Sequence, residues 1–280
     1  MEPRRWTPLP AGTSILGAGY SKTTGDIALD PLLLIEDGRA DVDTLVISYS
    51  RFFALGRKLG RFDAIIPVQH ANWNGLLDGA PANVTREGIA DPIFRFSMIL
   101  LGAPVAGAGQ SPRDAATRRV NTVVGAGIAV GVPLGDYLDD KLLNLGQNRY
   151  VFRPQIGIVH TRGPWSYELT GSTFFATDND AFFGGKKRQQ DPTFAIQTHV
   201  IRVFQPGLWA SVSAAYGWGG ENTVDAVPKD DNRRDVLVAA SVGFPVARNQ
   251  GIKFAYIVGR KNTDTGSNLD TLAISWSRRF

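Results

Sequence analysis

The 280-residue sequence contains no cysteine, only three histidines and no long uninterrupted run of apolar residues. The absence of cysteine excludes a disulfide-linked scaffold, a thiolate nucleophile and a cysteine-ligated zinc site. A long stretch without charge lies between Arg95 and Arg113, and it is broken by Pro104 and by glycines. A membrane-spanning helix needs about 20 consecutive apolar residues, so the sequence excludes a bundle of membrane helices.

Charged residues of both signs are mixed along the chain, and the net charge is +4. There is no continuous stripe of lysine and arginine, so we do not expect a nucleic-acid partner. The first six residues, Met1 to Trp6, lack the apolar segment of a secretory signal. A removed signal, a start placed too late or a cytoplasmic protein would each account for that beginning.

Apolar and polar side chains alternate with a period of two residues through most of the sequence, whereas helical periodicity is hard to find. In the last segment, Leu272, Ile274 and Trp276 alternate with small or polar residues. Such an alternation is typical of a β-strand with one apolar face. It predicts twelve strands, at residues 13–21, 43–54, 60–69, 92–102, 120–133, 149–160, 164–175, 192–204, 207–218, 234–246, 250–259 and 269–280.

In the second half of the chain, short turns and long polar loops alternate between these segments. That pattern is typical of outer-membrane barrels, which have short periplasmic turns and long extracellular loops. We therefore predict an all-β fold: a transmembrane antiparallel β-barrel that forms one domain over residues 1–280, with residues 1–12 as a periplasmic N-terminal segment. The connection at 103–119 does not fit, since it is long where a short turn is expected. The predicted long loops are 22–42, 70–91, 134–148, 176–191, 219–233 and 260–268.

Aromatic side chains lie near the ends of the predicted strands rather than at their centres. Trp165 and Trp209 lie beside short turns, whereas Tyr150, Phe175 and Trp218 lie beside long loops. Two such belts are typical of a barrel anchored at both membrane interfaces. A water-soluble β-sandwich would also alternate, but its outward face would be polar and its aromatics would concentrate in the core. The pattern therefore favours a barrel in a bacterial outer membrane.

Several motifs in the sequence are more specific than its alternation. They are Val132–Tyr137, Leu143–Tyr150 followed by Phe152–Pro154, Ala90–Pro92 with Arg95, Thr177–Asp180 and Phe182–Gly185. With these motifs, nearly the whole chain resembles the family named for the MetA pathway of phenol degradation. The resemblance implies an outer-membrane channel, twelve-stranded in some members, that admits small hydrophobic or aromatic compounds such as phenol or alkylbenzenes. The family takes its name from genomic context, so a phenolic substrate is an implication of the resemblance.

The end of the chain suggests partners in the membrane. The last strand resembles the signal that the outer-membrane assembly machinery reads, because it ends in Phe280 after alternating apolar residues. Arg278 departs from the apolar residue expected at its position. Outer-membrane lipid and lipopolysaccharide are the expected surroundings, and Lys186, Lys187 and Arg188 could meet lipopolysaccharide phosphates.

If the apolar set faces lipid, the opposite set of side chains faces the barrel lumen. Charged groups there need partners or water, because an unpaired buried charge is costly. Asp63 and Arg95, on neighbouring strands, could pair, whereas Arg153 and Glu168 are offset along one hairpin. The set either fixes the strand register or lines a constriction that controls passage. It comprises Asp63, Arg95, Arg153, Gln155, Glu168, Gln197, His199, Lys253 and Arg279.

Two further features concern the solute. The luminal positions of segment 125–131 are small residues, which leave room for a large side chain from across the barrel or for a solute. Three loop aromatics, Trp73, Phe182 and Phe183, are candidates to bind hydrophobic solutes before they move along this wall. They could equally pack the loops into a plug, and both interpretations stay open.

Cofactor and metal sites are not expected. The run Val123–Gly127 resembles the start of a dinucleotide-binding loop, but Val130 stands where the third glycine is needed and no helix follows. The acidic clusters at 136–140 and 178–180 do not match the calcium-loop template.

The alternative functions are an outer-membrane lipid-modifying enzyme or a structural barrel. An enzyme would need a nucleophile and a base within reach of one another. None of His70, His160 and His199 has a serine two residues away, as pairing on one face of a strand would require. A cross-strand pair of His199 with Ser211 or Ser213 stays open. We expect a channel rather than an enzyme.

Overall fold

The computed structural model describes residues 1–28, 35–77, 79–103 and 120–280 of the chain. Within those ranges, no helix is long and apolar enough to cross a membrane. The strands are β1 (Ser14–Ala28), β2 (Ile35–Leu55), β3 (Lys58–Leu77), β4 (Ala80–Ile89), β5 (Ile93–Leu101), β6 (Val120–Gly131), β7 (Val151–Arg162), β8 (Trp165–Ala176), β9 (Asn179–Phe182), β10 (Lys186–Gln190), β11 (Thr193–Gln205), β12 (Leu208–Gly219), β13 (Asn222–Val224), β14 (Val227–Pro228), β15 (Arg233–Ala247), β16 (Gln250–Lys261) and β17 (Gly266–Arg279).

Twelve strands form a closed antiparallel barrel, so the predicted fold is confirmed. β1 closes the barrel by pairing with β17, from Ile15 opposite Arg279 to Ala28 opposite Gly266. β3 pairs with β5 along its first half and with β4 along its second half. The barrel strands are β1, β2, β3, β5, β6, β7, β8, β11, β12, β15, β16 and β17.

The outer wall of the barrel is apolar, as the alternation predicts. Leu45 and Ile47 of β2 keep 60% and 62% of their surface exposed, and Leu272 of β17 keeps 64%. Leaving apolar surface in water costs about 25 cal/mol per Å², so a wall of this kind is stable when hydrocarbon covers it. Near the short turns, the Arg202 guanidinium lies over the rings of Trp165 and Phe204, at 5.3 and 5.1 Å from their centroids. Aromatic and basic side chains combined in this way are typical of a membrane interface.

The first three barrel strands are longer than the sequence predicts. β1, β2 and β3 extend into 22–42 and 70–91, so the prediction of long loops there is wrong for the described residues. The reason is that polar cross-strand pairs continue the ladder beyond the apolar band. Lys22 of β1, for example, donates to Asp41 of β2 across 2.6 Å. Such pairs end the apolar alternation without ending the strands.

The structure confirms some of the other predicted loops and shows additional strands in others. The loops at 176–191 and 219–233 contain a second, four-stranded sheet in the order β14-β13-β10-β9. Segment 134–148 is a loop, as predicted. Most of the connection at 103–119 lies outside the described residues, so its unusual length stays a prediction.

Candidate functional site

Residues 1–12, predicted as a periplasmic segment and here called the N-terminal segment, enter the barrel from the end with the short turns. Gly12 donates its N–H to the carbonyl of Phe52, near the end of β2, across 2.8 Å. Further along, Trp6 is only 2% exposed and belongs to a buried cluster with Phe52, Leu59 and Val123. The segment therefore occupies part of the lumen.

Trp6 fixes this segment against the barrel wall. Its indole Nε1 donates to Thr170 Oγ1 of β8 across 2.8 Å. A Cβ placed on Gly125 would lie 2.5 Å from the Trp6 ring, and one on Gly157 would overlap the ring. The small luminal residues of β6 thus leave room for a large side chain, and that side chain comes from the N-terminal segment.

The same segment supplies charged partners to the wall. Arg95, which is buried, donates to both carboxylate oxygens of Glu2, across 2.7 and 3.0 Å. Asp63 accepts from Arg61 across 2.7 Å and from Arg5 across 3.4 Å. The possible direct pair of Asp63 with Arg95 does not form, although the two residues stand opposite one another in the β3–β5 register. Two-pronged carboxylate–guanidinium bonds are strong, and Glu2 provides one for Arg95.

Glu168 and His199 are both buried and stand opposite one another on β8 and β11. Glu168 Oε2 accepts from the backbone N–H of Arg4 across 3.0 Å. His199 Nδ1 lies 2.7 Å from Ser213 Oγ on β12. The cross-strand histidine–serine pair that the sequence left open therefore forms with Ser213.

Of the five other predicted luminal residues, Arg153, Gln155 and Lys253 lie on β7 and β16, whereas Gln197 and Arg279 lie on β11 and β17. The Arg153 guanidinium lies over the ring of Phe174, 4.6 Å from its centroid. Gln155 is buried, and its Nε2 has no hydrogen-bond partner in the described part of the chain. Lys253 borders a cavity. Some of the polar luminal residues thus contact the N-terminal segment, others contact neighbouring strands, and Lys253 faces the cavity.

This cavity, of about 440 Å³, lies between the N-terminal segment and the wall formed by β1, β2, β3, β16 and β17. A volume of about 150 Å³ is enough to hold a benzene molecule, so the cavity has room for a single-ring aromatic compound. One side is lined by small residues and the other by charged ones. The small ones include Gly17, Gly19, Ser48, Ser275 and Ser277, and the charged ones are Glu2, Arg4, Arg5, Arg61, Asp63, Arg95 and Lys253.

The three aromatic residues predicted in loops do not form one cluster. Trp73 lies on β3, so its placement in a loop is wrong. β3 continues beyond the apolar band, because polar cross-strand pairs extend the ladder there. Phe182 ends β9, and the Arg188 guanidinium lies 5.3 Å from the centroid of its ring. Phe183 follows with a φ of +25°, and both phenylalanines are half-buried. Across the described residues, no ring contact joins Trp73 to either phenylalanine.

The loops at the other end of the barrel are held by residues of the sequence motifs. Asp91 accepts hydrogen bonds from the N–H groups of Gly135 and Gln147, across 3.0 and 2.8 Å. Asn179 is 2% exposed and donates to the hydroxyl of Tyr137 across 2.9 Å. Most of the motif residues thus tie loop segments to one another and to the barrel rim.

A surface ion pair accompanies this loop network. Lys187 Nζ lies 2.7 Å from the carboxylate of Asp178, and its hydrogen bond lowers the pKa of that carboxyl group below the usual value. An exposed pair of this kind contributes little to stability. Lys187 also lies 3.3 Å from Asp180, so its charge is shared between two loop carboxylates.

The fold places the protein among bacterial outer-membrane β-barrels. The COG4313 outer membrane channel from Pseudomonas putida F1 superposes with a TM-score of 0.82 at 20% identity, with 100% of both chains covered. The translocator domain of the autotransporter NalP from Neisseria meningitidis gives a TM-score of 0.51 at 8% identity, covering 98% of this chain and 91% of the other. A structure described as the CymD monoaromatic hydrocarbon channel gives 0.50 at 7% identity, covering 97% and 89%.

Residues 18–269 match the family described as "Putative MetA-pathway of phenol degradation". The match covers most of the chain, and the chain belongs to this family. No curated protein matches the sequence. The predictions of this family and of an outer-membrane β-barrel are confirmed.

Proposed function

We propose that the protein is an outer-membrane channel for the passive uptake of small hydrophobic or aromatic molecules, with phenol-like or alkylbenzene-like compounds as the substrate class. The observation that carries the proposal is the cavity inside a closed barrel, beside a smooth wall of glycine and serine residues. The family name and the printed name of the CymD channel support an aromatic substrate.

The path for a solute follows from this arrangement. On the β1 and β17 side, Gly17, Gly19 and Ser275 leave the wall without bulky side chains. On the opposite side, the N-terminal segment narrows the lumen, because Trp6 and Arg5 fill the space against β5, β6 and β7. The solute passes along the smooth wall, and the charged luminal residues keep the remainder of the lumen closed by holding the segment in place.

The test is uptake of a labelled alkylbenzene by cells with and without the gene. Faster uptake with the gene, at equal amounts of other outer-membrane proteins, supports a channel. Equal uptake contradicts it. A gel with and without heating checks the barrel in the same membranes, because a compact barrel migrates differently when it is not boiled.

Phe182 and Phe183 are proposed to bind the solute before it enters the barrel. Their half-buried rings lie in a loop segment that is otherwise largely polar, where they offer apolar contact to an aromatic molecule. The double variant Phe182→Ser with Phe183→Ser is expected to lower hydrocarbon uptake. Leu134→Ser, which removes a loop side chain that is 65% exposed, is the matched control. Unchanged uptake in the double variant would remove the binding role.

A second function, lipid modification, is favoured by one observation, the short contact between His199 and Ser213. A serine beside a histidine is the pairing that nucleophilic catalysis uses. Both residues are at most 2% exposed, however, so a lipid ester cannot reach the hydroxyl in this conformation. The pair therefore acts as a hydrogen bond between two neighbouring barrel strands. We propose a channel rather than an enzyme.

The proposed surroundings are outer-membrane lipid and lipopolysaccharide. The apolar band fits the hydrocarbon layer, and Lys186 and Lys187 lie exposed at the long-loop end, where lipopolysaccharide phosphates are found. We also propose that the assembly machinery recognises the last strand through Phe280, which is 62% exposed. Slower membrane insertion of a Phe280→Ala variant would support that role, and unchanged insertion would contradict it.

A further inference from the structure

The charges around the luminal cavity are strongly unbalanced. Five of its described lining residues are basic and two are acidic. The basic ones are Arg4, Arg5, Arg61, Arg95 and Lys253, and the acidic ones are Glu2 and Asp63. A hydrocarbon needs no charge in its path, so this excess calls for a separate explanation.

The two carboxylates are already bonded to arginine side chains around the cavity. Both oxygens of Glu2 accept from Arg95. Asp63 accepts from Ser50 across 2.5 Å, as well as from Arg61 and Arg5. Glu2 also lies 3.7 Å from the Arg5 guanidinium, so both carboxylates are engaged with arginines, and neither contacts Lys253.

Donors without acceptors are indeed present. The Nε atoms of Arg5 and Arg95 are buried and have no hydrogen-bond partner within the described residues, and the two side chains are 7% and 5% exposed. Lys253 has neither a hydrogen bond nor an ion pair in the described part of the structure. Its ammonium group therefore borders the cavity without an anionic partner.

We propose that this cavity binds the carboxylate of a small aromatic acid, with Lys253 as the main contact. The inference rests on the proposed function and narrows its substrate class. The ring lies along the small residues of β1 and β17, and the carboxylate accepts from the Lys253 ammonium. Fixed basic residues in a narrow pore favour anions, because charge interactions are screened less there than in bulk water.

The experiment compares uptake of labelled benzoate and labelled toluene into cells that carry the wild type, Lys253→Met, Lys253→Arg or Lys141→Met. Lys141→Met, used as the control, removes an exposed loop charge that has no proposed role in binding. We expect Lys253→Met to lower benzoate uptake about tenfold, the effect of about 1.4 kcal/mol, while toluene uptake stays unchanged. Lys253→Arg is expected to retain benzoate uptake.

A second measurement does not depend on the solute. In planar bilayers with a salt gradient, the reversal potential of the wild type is expected to indicate anion selectivity, and Lys253→Met is expected to reduce it. The inference is overturned if the wild type prefers cations, if it does not take up benzoate, if Lys253→Met leaves benzoate uptake unchanged, or if it lowers the uptake of both solutes equally. Loss of the proposed function itself has a different signature, since toluene uptake would then not depend on the gene.

Discussion

Trp6 of the N-terminal segment and Gly157 of β7 fit together inside the barrel, because the glycine leaves the space that the indole ring fills. A Cβ on Gly157 would overlap the ring, and a Cβ on Gly125 of β6 would lie 2.5 Å from it. The contact joins residues far apart in the sequence and fixes the N-terminal segment against the wall. The width of the lumen thus depends on the packing of Trp6 against Gly125 and Gly157.

The substitution Gly157→Ile is expected to displace Trp6 and widen the lumen. Overpacking a fitted site costs about 1–3 kcal/mol, and here the movable part is the N-terminal segment rather than the β-sheet. Single-channel conductance of the variant should therefore exceed that of the wild type. The control is Gly171→Ile on β8, where a new Cβ meets nothing within 4 Å. Equal conductance in the wild type and Gly157→Ile would contradict the account of this contact.

Trp6→Ala is expected to destabilise the barrel, because it removes a buried ring and the bond from its Nε1 to Thr170. Removing a buried tryptophan side chain costs about 3–5 kcal/mol. The temperature at which the unboiled protein loses its compact migration on a gel should fall. Trp165→Ala provides the comparison, since Trp165 is 37% exposed on the outer wall, and its effect should be smaller. An equal effect of the two substitutions would mean that Trp6 does not anchor the segment.

The substitution Ser213→Ala distinguishes a channel function from a lipid-modifying enzyme function. It removes the hydroxyl that lies 2.7 Å from His199 Nδ1 and leaves that nitrogen without its partner. A buried polar group without a partner costs about 1–3 kcal/mol, so we expect a modest loss of stability. Hydrocarbon uptake should stay at the wild-type level. A lipid-modifying activity that is present in the wild type and absent from the variant would favour catalysis instead.

The period-two pattern was sufficient to predict the barrel, because lipid on one side and a lumen on the other impose opposite chemistry on alternate residues. It placed Asp63, Glu168 and His199 on the luminal face, where they are buried. It failed at the outer ends of β1, β2 and β3, where polar residues interrupt the apolar alternation although the strands continue. Trp73 was placed in a loop for that reason.

The partners of the luminal charges could not be read from the sequence. Arg95 stands opposite Asp63 but bonds to Glu2, which precedes it by 93 positions in the chain. Contacts of such long range depend on where the N-terminal segment runs, and alternation carries no information about an irregular segment. The small residues of β6 were the available signal, since they leave room for a large side chain from across the barrel or for a solute.

Passage of the solute through the cavity beside β1 and β17 is central to the proposed channel. Ser275→Trp on β17 would fill that cavity, whereas Ala210→Trp on β12 would add the same ring to the outer wall. Labelled toluene uptake should fall to the level of cells without the gene in Ser275→Trp and stay normal in Ala210→Trp, with both barrels migrating as compact forms. Normal uptake through a correctly folded Ser275→Trp barrel would contradict the account.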